Sequence, residues 1–375
     1  MSGACHLYVH VPFCAERCGY CDFVSLVGRR GQHARYVEAL LAELELERGF
    51  LDDELETIYL GGGTPTFLES AALRRLLDGL PPAEDVTVEV NPETVNGELS
   101  ELLVAAGVSR VSLGAQSFQP HLLRVLERHV SPDEVLGAVQ TLRDVGIDNI
   151  SLDLLYGIPG QSVDDLENDL RSALELAPEH LSCYELEAKP GTRFTHSYGA
   201  ELARQSDAME TYFEQVVERL TDAGYRWYET ANFARVDGEQ DLRSAHNLAY
   251  WRGRDYLGLG IGAVSTLDGR RWRNHPSLPA YIAALEQATR PRRELEEIDA
   301  LTQLRERLML GLRLDEPLSL NGLEPVLDLE ALGRLERLEL VSHDSAAIAL
   351  TRRGRFLGDA VSADLISEPS GRLAA

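Results

Sequence analysis

The feature that most limits how this chain can fold is a strand followed by a helix, repeated about six times between residues 7 and 186. Short β-branched runs at Leu7–Val11, Thr57–Leu60, Val86–Val90, Arg110–Leu113, Asn149–Leu154 and Leu181–Leu186 read as strands. Between them lie segments with helical spacing: Val37, Leu40, Leu41 and Leu44 within 34–47, then 71–80, 99–106, the stretch after Ser131, and 163–176. Ser131-Pro132-Asp133-Glu134 has the form of a capping box with proline at the first helical position. Such alternation predicts an α/β fold with a parallel sheet or barrel. Six units are fewer than the eight that close a TIM barrel, so a partial, open (β/α)6 barrel is expected.

After residue 190 the rhythm changes. An amphipathic helix is expected at Asp207–Ala223, a strand at Arg226–Phe233 and a polar loop at Ala234–Arg243. Pro291-Arg292-Arg293 reads as a linker, beyond which helices at Leu301–Leu310 and Leu329–Leu338 and a strand at Ala346–Leu350 suggest a small, mostly helical, winged-helix-like unit. The expected organisation is therefore a barrel over 1–235, a segment packing on it over 236–290, and a C-terminal domain over 291–375. A net charge of −25 argues against broad nucleic-acid binding, which needs a basic footprint. No apolar run is long enough to span a bilayer, and the first residues lack a basic region followed by an apolar one, so the cytoplasm is the expected compartment. Peripheral membrane contact is not predicted. Lys189 is the single lysine, so any Schiff-base chemistry would rest on it alone.

Three of the five cysteines, Cys14, Cys18 and Cys21, crowd into one loop directly after the first strand. Spacings of three and two let such a loop wrap three corners of an iron–sulfur cubane and leave one iron open. Two other readings stay open on spacing alone. One is zinc, with His10 or His33 completing the set; the other is packed structural cysteines. At strand ends the chain places further polar groups: Gly61-Gly62-Gly63-Thr64-Pro65, Glu89, Gln116 and Asp153, with Arg128 near the start of the next crossover. Active sites of barrels lie at that end. The glycines make either a tight turn or a close approach of backbone to ligand. Each remaining residue has a bland reading too, as a cap or a solvated side chain.

CxxxCxxC with Tyr20 before its last cysteine, placed after a first barrel strand, resembles the radical S-adenosylmethionine superfamily. That resemblance implies a 4Fe–4S cluster on Cys14, Cys18 and Cys21, whose open iron chelates the amino and carboxylate groups of S-adenosylmethionine. One electron then cleaves a carbon–sulfur bond to give a 5′-deoxyadenosyl radical, which implies an electron donor such as flavodoxin or ferredoxin. It further implies cofactor contacts from Gly62, Gly63 and Thr64 and from Glu89. The one-per-strand order of Glu89, Gln116, Arg128 and Asp153, with Tyr8 in Tyr-Val-His-Val-Pro-Phe-Cys, is similar to the anaerobic coproporphyrinogen oxidase branch.

Within that branch the oxygen-independent coproporphyrinogen III oxidases carry a fourth cysteine two residues after the third, where this chain has Phe23, and an N-terminal extension ahead of the first strand. The chain is more similar to the related heme chaperones, whose mark here is His246-Asn247-Leu-Ala-Tyr250-Trp251. A histidine could serve as an axial heme ligand, with Tyr250 and Trp251 covering a porphyrin face. Against this stands a satisfied core histidine beside two packed aromatics. The resemblance implies heme binding and transfer to a heme-accepting protein. The alternative is a radical enzyme that decarboxylates a porphyrinogen. Gly258-Leu-Gly260-Ile-Gly262 mimics a dinucleotide fingerprint but lacks its strand–turn–helix setting. It is expected instead to be a strand that another group approaches closely.

Overall fold

Along β1 (His6–Val11) the side chains alternate: Leu7, Val9 and Val11 are fully buried in the main apolar cluster, while His6, Tyr8 and His10 face the other way. The same alternation runs through β2 (Leu55–Gly62), β3 (Ala83–Val90), β4 (Arg110–Gln116), β5 (Ile150–Tyr156) and β6 (His180–Glu185). Their apolar set packs beneath helices α1 (His33–Glu47), α2 (Ser70–Gly79), α3 (Gly97–Ala105), α4 (Pro132–Asp144) and α5 (Val163–Glu175). Their polar set points into a lumen. Burial of one face drives the sheet together; the other face is left free for chemistry.

The computed structural model describes residues 3–187, 189, 192–238 and 240–367. In it β1 to β6 are parallel neighbours in chain order, as the strand–helix alternation predicts. The sheet does not close. Its edges are β9 (Leu257–Leu259), parallel to β1, and an antiparallel pair after β6, formed by β7 (Tyr225–Trp227) and β8 (Asn232–Arg235). The single strand expected at Arg226–Phe233 is thus two strands. The chain reverses between them, where buried Glu229 accepts the Ala231 N–H (3.0 Å) and the Asn232 amide. The helix expected from Asp207 begins earlier: α6 spans Arg193–Asp222, with Thr192 accepting the Thr195 N–H at 3.2 Å. The capping box at Ser131 forms as expected, Glu134 taking the Ser131 N–H at 2.7 Å.

Helix α7 (Ala245–Trp251) precedes β9. After β9 come β10 (Val264–Leu267) and β11 (Arg270–Asn274), then α8 (Leu278–Glu286) and β12 (Arg293–Glu297). Pro291-Arg292-Arg293 is not a linker: Arg293 opens β12, which pairs with β11, and its guanidinium lies 3.3 Å from Glu43 and 2.9 Å from Glu47. The glycines after Leu257 do mark close approach. A Cβ would meet the Val264 carbonyl oxygen at 2.1 Å from Gly258, the Tyr36 hydroxyl at 2.5 Å from Gly260, and Val24 at 2.7 Å from Gly262. The remaining described chain has its own apolar cluster. It holds α9 (Ala300–Gly311), α10 (Leu329–Arg337), α11 (Gly358–Leu365) and the three-stranded sheet of β13 (Leu318–Ser319), β14 (Val341–His343) and β15 (Ala347–Leu350). Residues 368–375, expected to end this unit, lie outside the described residues. Among the described residues no helix is long and apolar enough to cross a membrane.

Candidate functional site

The lumen is a cavity of about 610 Å³ that runs the length of the parallel strands. Arg110, Ser151 and His180, near the starts of β4 to β6, and Thr87 of β3, paired with Arg110, line one end; the cysteine loop and Gly62–Thr64 line the other.

The cysteine loop is closed at its neck. Phe13–Cys14 pairs with Leu26–Val27, the Leu26 N–H donating to the Pro12 carbonyl at 2.7 Å and the Gly28 N–H to that of Cys14 at 2.9 Å. Between these points Cys14, Cys18 and Cys21 are all part-exposed, unpaired and on the cavity wall. Among the described residues no group of three His, Cys, Asp or Glu side chains is set to hold a metal ion. Three thiols on one wrapped loop suit three corners of a cubane. His10 is also spent, one ring nitrogen lying 3.0 Å from the Tyr8 hydroxyl and the other 2.8 Å from the Val24 carbonyl, which anchors the loop. His33 meets the Gly28 carbonyl at 3.2 Å. Burial pushes the Cys14 thiol up to about 11 and that of Cys21 above its usual value, so bound iron is what would hold them as thiolates.

Each glycine of Gly61–Gly63 answers to a different neighbour. A Cβ on Gly61 would lie 2.7 Å from the Glu89 carboxyl, on Gly62 2.3 Å from the His10 ring, and on Gly63 2.7 Å from the Pro12 backbone. Gly62 also has φ 104°, which favours glycine. Its N–H donates to Glu89 at 3.0 Å, and the Tyr59 hydroxyl donates to the other carboxyl oxygen at 2.9 Å. Even so, burial dominates and lifts Glu89 to about 7. Asp153 takes the Ser112 hydroxyl at 3.1 Å and is raised to about 6, again chiefly by burial. Gln116 sits at φ 66° where β4 slips its register against β5. Held strain of this kind aims a side chain, and Gln116 lines the cavity.

Asn91 was not singled out from sequence, yet it joins two parts of the site. Its amide nitrogen donates to Thr64 at 3.0 Å and its oxygen accepts from Arg128 at 3.2 Å, while the Thr64 hydroxyl lies 3.8 Å from the Cys14 sulfur. Arg128 is further held by the Gly114 carbonyl. Tyr20 lines the cavity edge-on to Phe194. Phe23, 64% exposed, stands at its mouth. Tyr8 does not line the cavity. Its hydroxyl goes to His10 and its ring stacks on Tyr59, so it supports the cysteine loop through His10.

The structure packs His246, Tyr250 and Trp251 against their neighbours, the arrangement of a satisfied core histidine beside two aromatics. His246 is 2% exposed, with one ring nitrogen 2.7 Å from the Thr57 hydroxyl and the other 3.0 Å from that of Tyr250, and its ring stacks on Tyr59. Tyr250 meets Tyr256 edge-on, and Trp251 lies under Arg313 in a small cluster with Leu248 and Leu314. An axial ligand needs a free nitrogen facing open space, and here neither is free. The motif instead forms α7, a plug under the strand starts, from which Asn247 and the N-cap Ser244 face the cavity.

Comparison with known proteins agrees with this geometry. The model for the radical SAM superfamily matches residues 8–173, and that for the HemN C-terminal domain matches 298–357. The heme chaperone HemW of Mycobacterium tuberculosis is 37% identical, covering 95% of this chain and 93% of that protein. That of Bacillus subtilis is 33% identical over 96% and 99%. Among solved structures, coproporphyrinogen III oxidase (HemN) from Escherichia coli, a radical SAM enzyme, superposes with a TM-score of 0.80 at 24% identity, over 96% of this chain and 90% of that one. This chain therefore belongs to the HemW family of the radical SAM superfamily.

Proposed function

We propose that this protein is a heme chaperone that carries a 4Fe–4S cluster on Cys14, Cys18 and Cys21, binds S-adenosylmethionine in the lumen, and hands heme to an acceptor protein. The observation that carries the reading is the closed cysteine loop on the wall of a 610 Å³ cavity that is also lined by Thr64, Glu89, Gln116, Arg128 and Asp153. When bound, such a cluster offers an open iron that chelates an amino acid and an electron for reductive cleavage. The chain's own groups would do the rest. Glu89, raised toward neutrality, accepts a cationic amine. Arg128, already turned by Asn91 and Gly114, faces a carboxylate. Asp153 accepts a ribose hydroxyl opposite Ser112. An electron donor of flavodoxin or ferredoxin type would approach at the mouth, where Phe23 stands in place of a further thiol.

The test is anaerobic reconstitution followed by heme titration and a coproporphyrinogen III assay. The expected result is one cluster per chain, abolished in the triple Cys→Ala variant, heme bound near one per chain, and no decarboxylation. Turnover of coproporphyrinogen III, or no heme binding, refutes the reading.

A further inference from the structure

Arg110 opens β4 at the end of the cavity farthest from the cysteines and is 2% exposed. One of its terminal nitrogens donates to Asn149 at 3.1 Å and to the Leu242 carbonyl at 3.2 Å. The other, Nη2, is buried with no partner among the described residues. Directly across the ladder sits Thr87 of β3, 1% exposed, its hydroxyl also unpartnered. Both line the same cavity. A guanidinium taken out of water and left half-satisfied is costly, and so is an idle buried hydroxyl. Two such donors lie side by side on adjacent strands that line one cavity.

The surroundings do not fill it. The Ser151 hydroxyl lies 2.8 Å from His180, whose other ring nitrogen meets the Tyr228 hydroxyl at 2.8 Å. Burial holds that imidazole neutral. Asp153, on which Arg110 acts across space, is turned to Ser112.

We propose that Arg110 and Thr87 form a carboxylate-binding floor, the guanidinium Nη2 and the threonine hydroxyl donating to the two oxygens of a ligand carboxylate whose body extends toward the cysteine loop. The floor takes an organic carboxylate; since the proposed function sets that of S-adenosylmethionine at the open iron and Arg128, the carboxylate in view is a heme propionate. Naming the source rests on that function; the floor itself does not.

The test uses the cluster-loaded full chain. Sodium propionate at ten times its Kd should raise the Tm by about 2 °C or more over sodium chloride of equal ionic strength. The rise should vanish in Arg110→Met and shrink in Thr87→Val, a near-isosteric change that leaves every Arg110 bond in place. An equal rise in wild type and Arg110→Met, or none in wild type, overturns the floor, leaving Nη2 to water. Two arms then identify the source. If Arg110→Met weakens heme at least tenfold but spares heme dimethyl ester, the carboxylate is a propionate. If it instead weakens S-adenosylmethionine but spares the decarboxylated analogue, the propionate assignment falls. Failure of wild type to bind any heme sinks the chaperone reading, while the propionate result still judges the floor.

Discussion

Glu89 concentrates the electrostatics of the site in one side chain. Its pKa rises from an ordinary 4.5 to about 7 because burial outweighs the Tyr59 and Gly62 hydrogen bonds. Below pH 4.5 both folded and unfolded chains hold the proton. Between 4.5 and 7 the unfolded chain releases it while the folded chain keeps it, so stability falls as pH rises and levels off above 7. Urea midpoints of the cluster-free protein should therefore drop across that window, by up to about 3 kcal/mol. Glu89→Gln should flatten the slope between about 6 and 7, leaving the fall between about 4 and 6 owed to Asp153 and Asp169. An unchanged slope in the variant would refute the assignment. Gly62→Ala tests the neighbouring turn. A methyl 2.3 Å from the His10 ring at φ 104° should cost about 2–3 kcal/mol and lower iron content per chain, since His10 tethers the loop at Val24. The cysteines and strand-end groups were legible in the sequence because spacing and position are local. Asn91, Arg110 and the true duty of His10 were not. A polar residue between two apolar ones in a strand reads as solvent-facing until the sheet is seen to curl round a lumen.

At the scale of elements, α7 is a recognisable motif whose helical spacing was legible in the sequence and whose packing was not. His246 and Tyr250 do share a side at i, i+4, as their spacing predicts, and hydrogen-bond each other there. What spacing could not show is that this side packs against Thr57 and Tyr59 of β2 and His6 of β1, contacts some 190 residues distant in sequence. The helix is short, and its stability comes from that docking. His246→Ala removes two buried hydrogen bonds and a stacked ring, and should cost about 2–4 kcal/mol in thermal or urea unfolding. Heme bound per folded chain, and the absorption spectrum of the bound heme, should stay as in wild type. A shifted spectrum with unchanged stability would restore His246 as an axial ligand. The turn inside Tyr225–Arg235 was missed for a local reason: residues read as one strand are split where Glu229 takes the Asn232 amide three residues on.

For the molecule as a whole, the open sheet poses the question of what holds its first edge. The answer centres on Glu43 of α1, fully buried, which accepts the Gly260 N–H at 2.8 Å, the Asn274 amide at 2.7 Å and the Tyr281 hydroxyl at 2.6 Å, with Arg293 at 3.3 Å. One carboxylate thus joins the first helix to the segment after β9, to β11, to α8 and to β12. The chain from 257 to 297 is by this bond set part of the barrel's edge, and Gly262 carries it to Val24 of the cysteine loop. Removing one partner of a buried, multiply bonded charge is far more costly than losing a surface pair. Glu43→Leu should destabilise by about 3–5 kcal/mol, leaving Arg293 with the Glu47 carboxylate and the Asn274 side-chain oxygen. Glu43→Gln, which keeps an acceptor for Gly260 or Tyr281, should cost less. If the hub acts only as local packing, cluster content per folded chain will not change in either variant. If it fixes the edge that the cysteine loop leans on, Glu43→Gln will lower cluster retention under oxygen at a temperature where the chain stays folded, and iron release against circular dichroism separates the two.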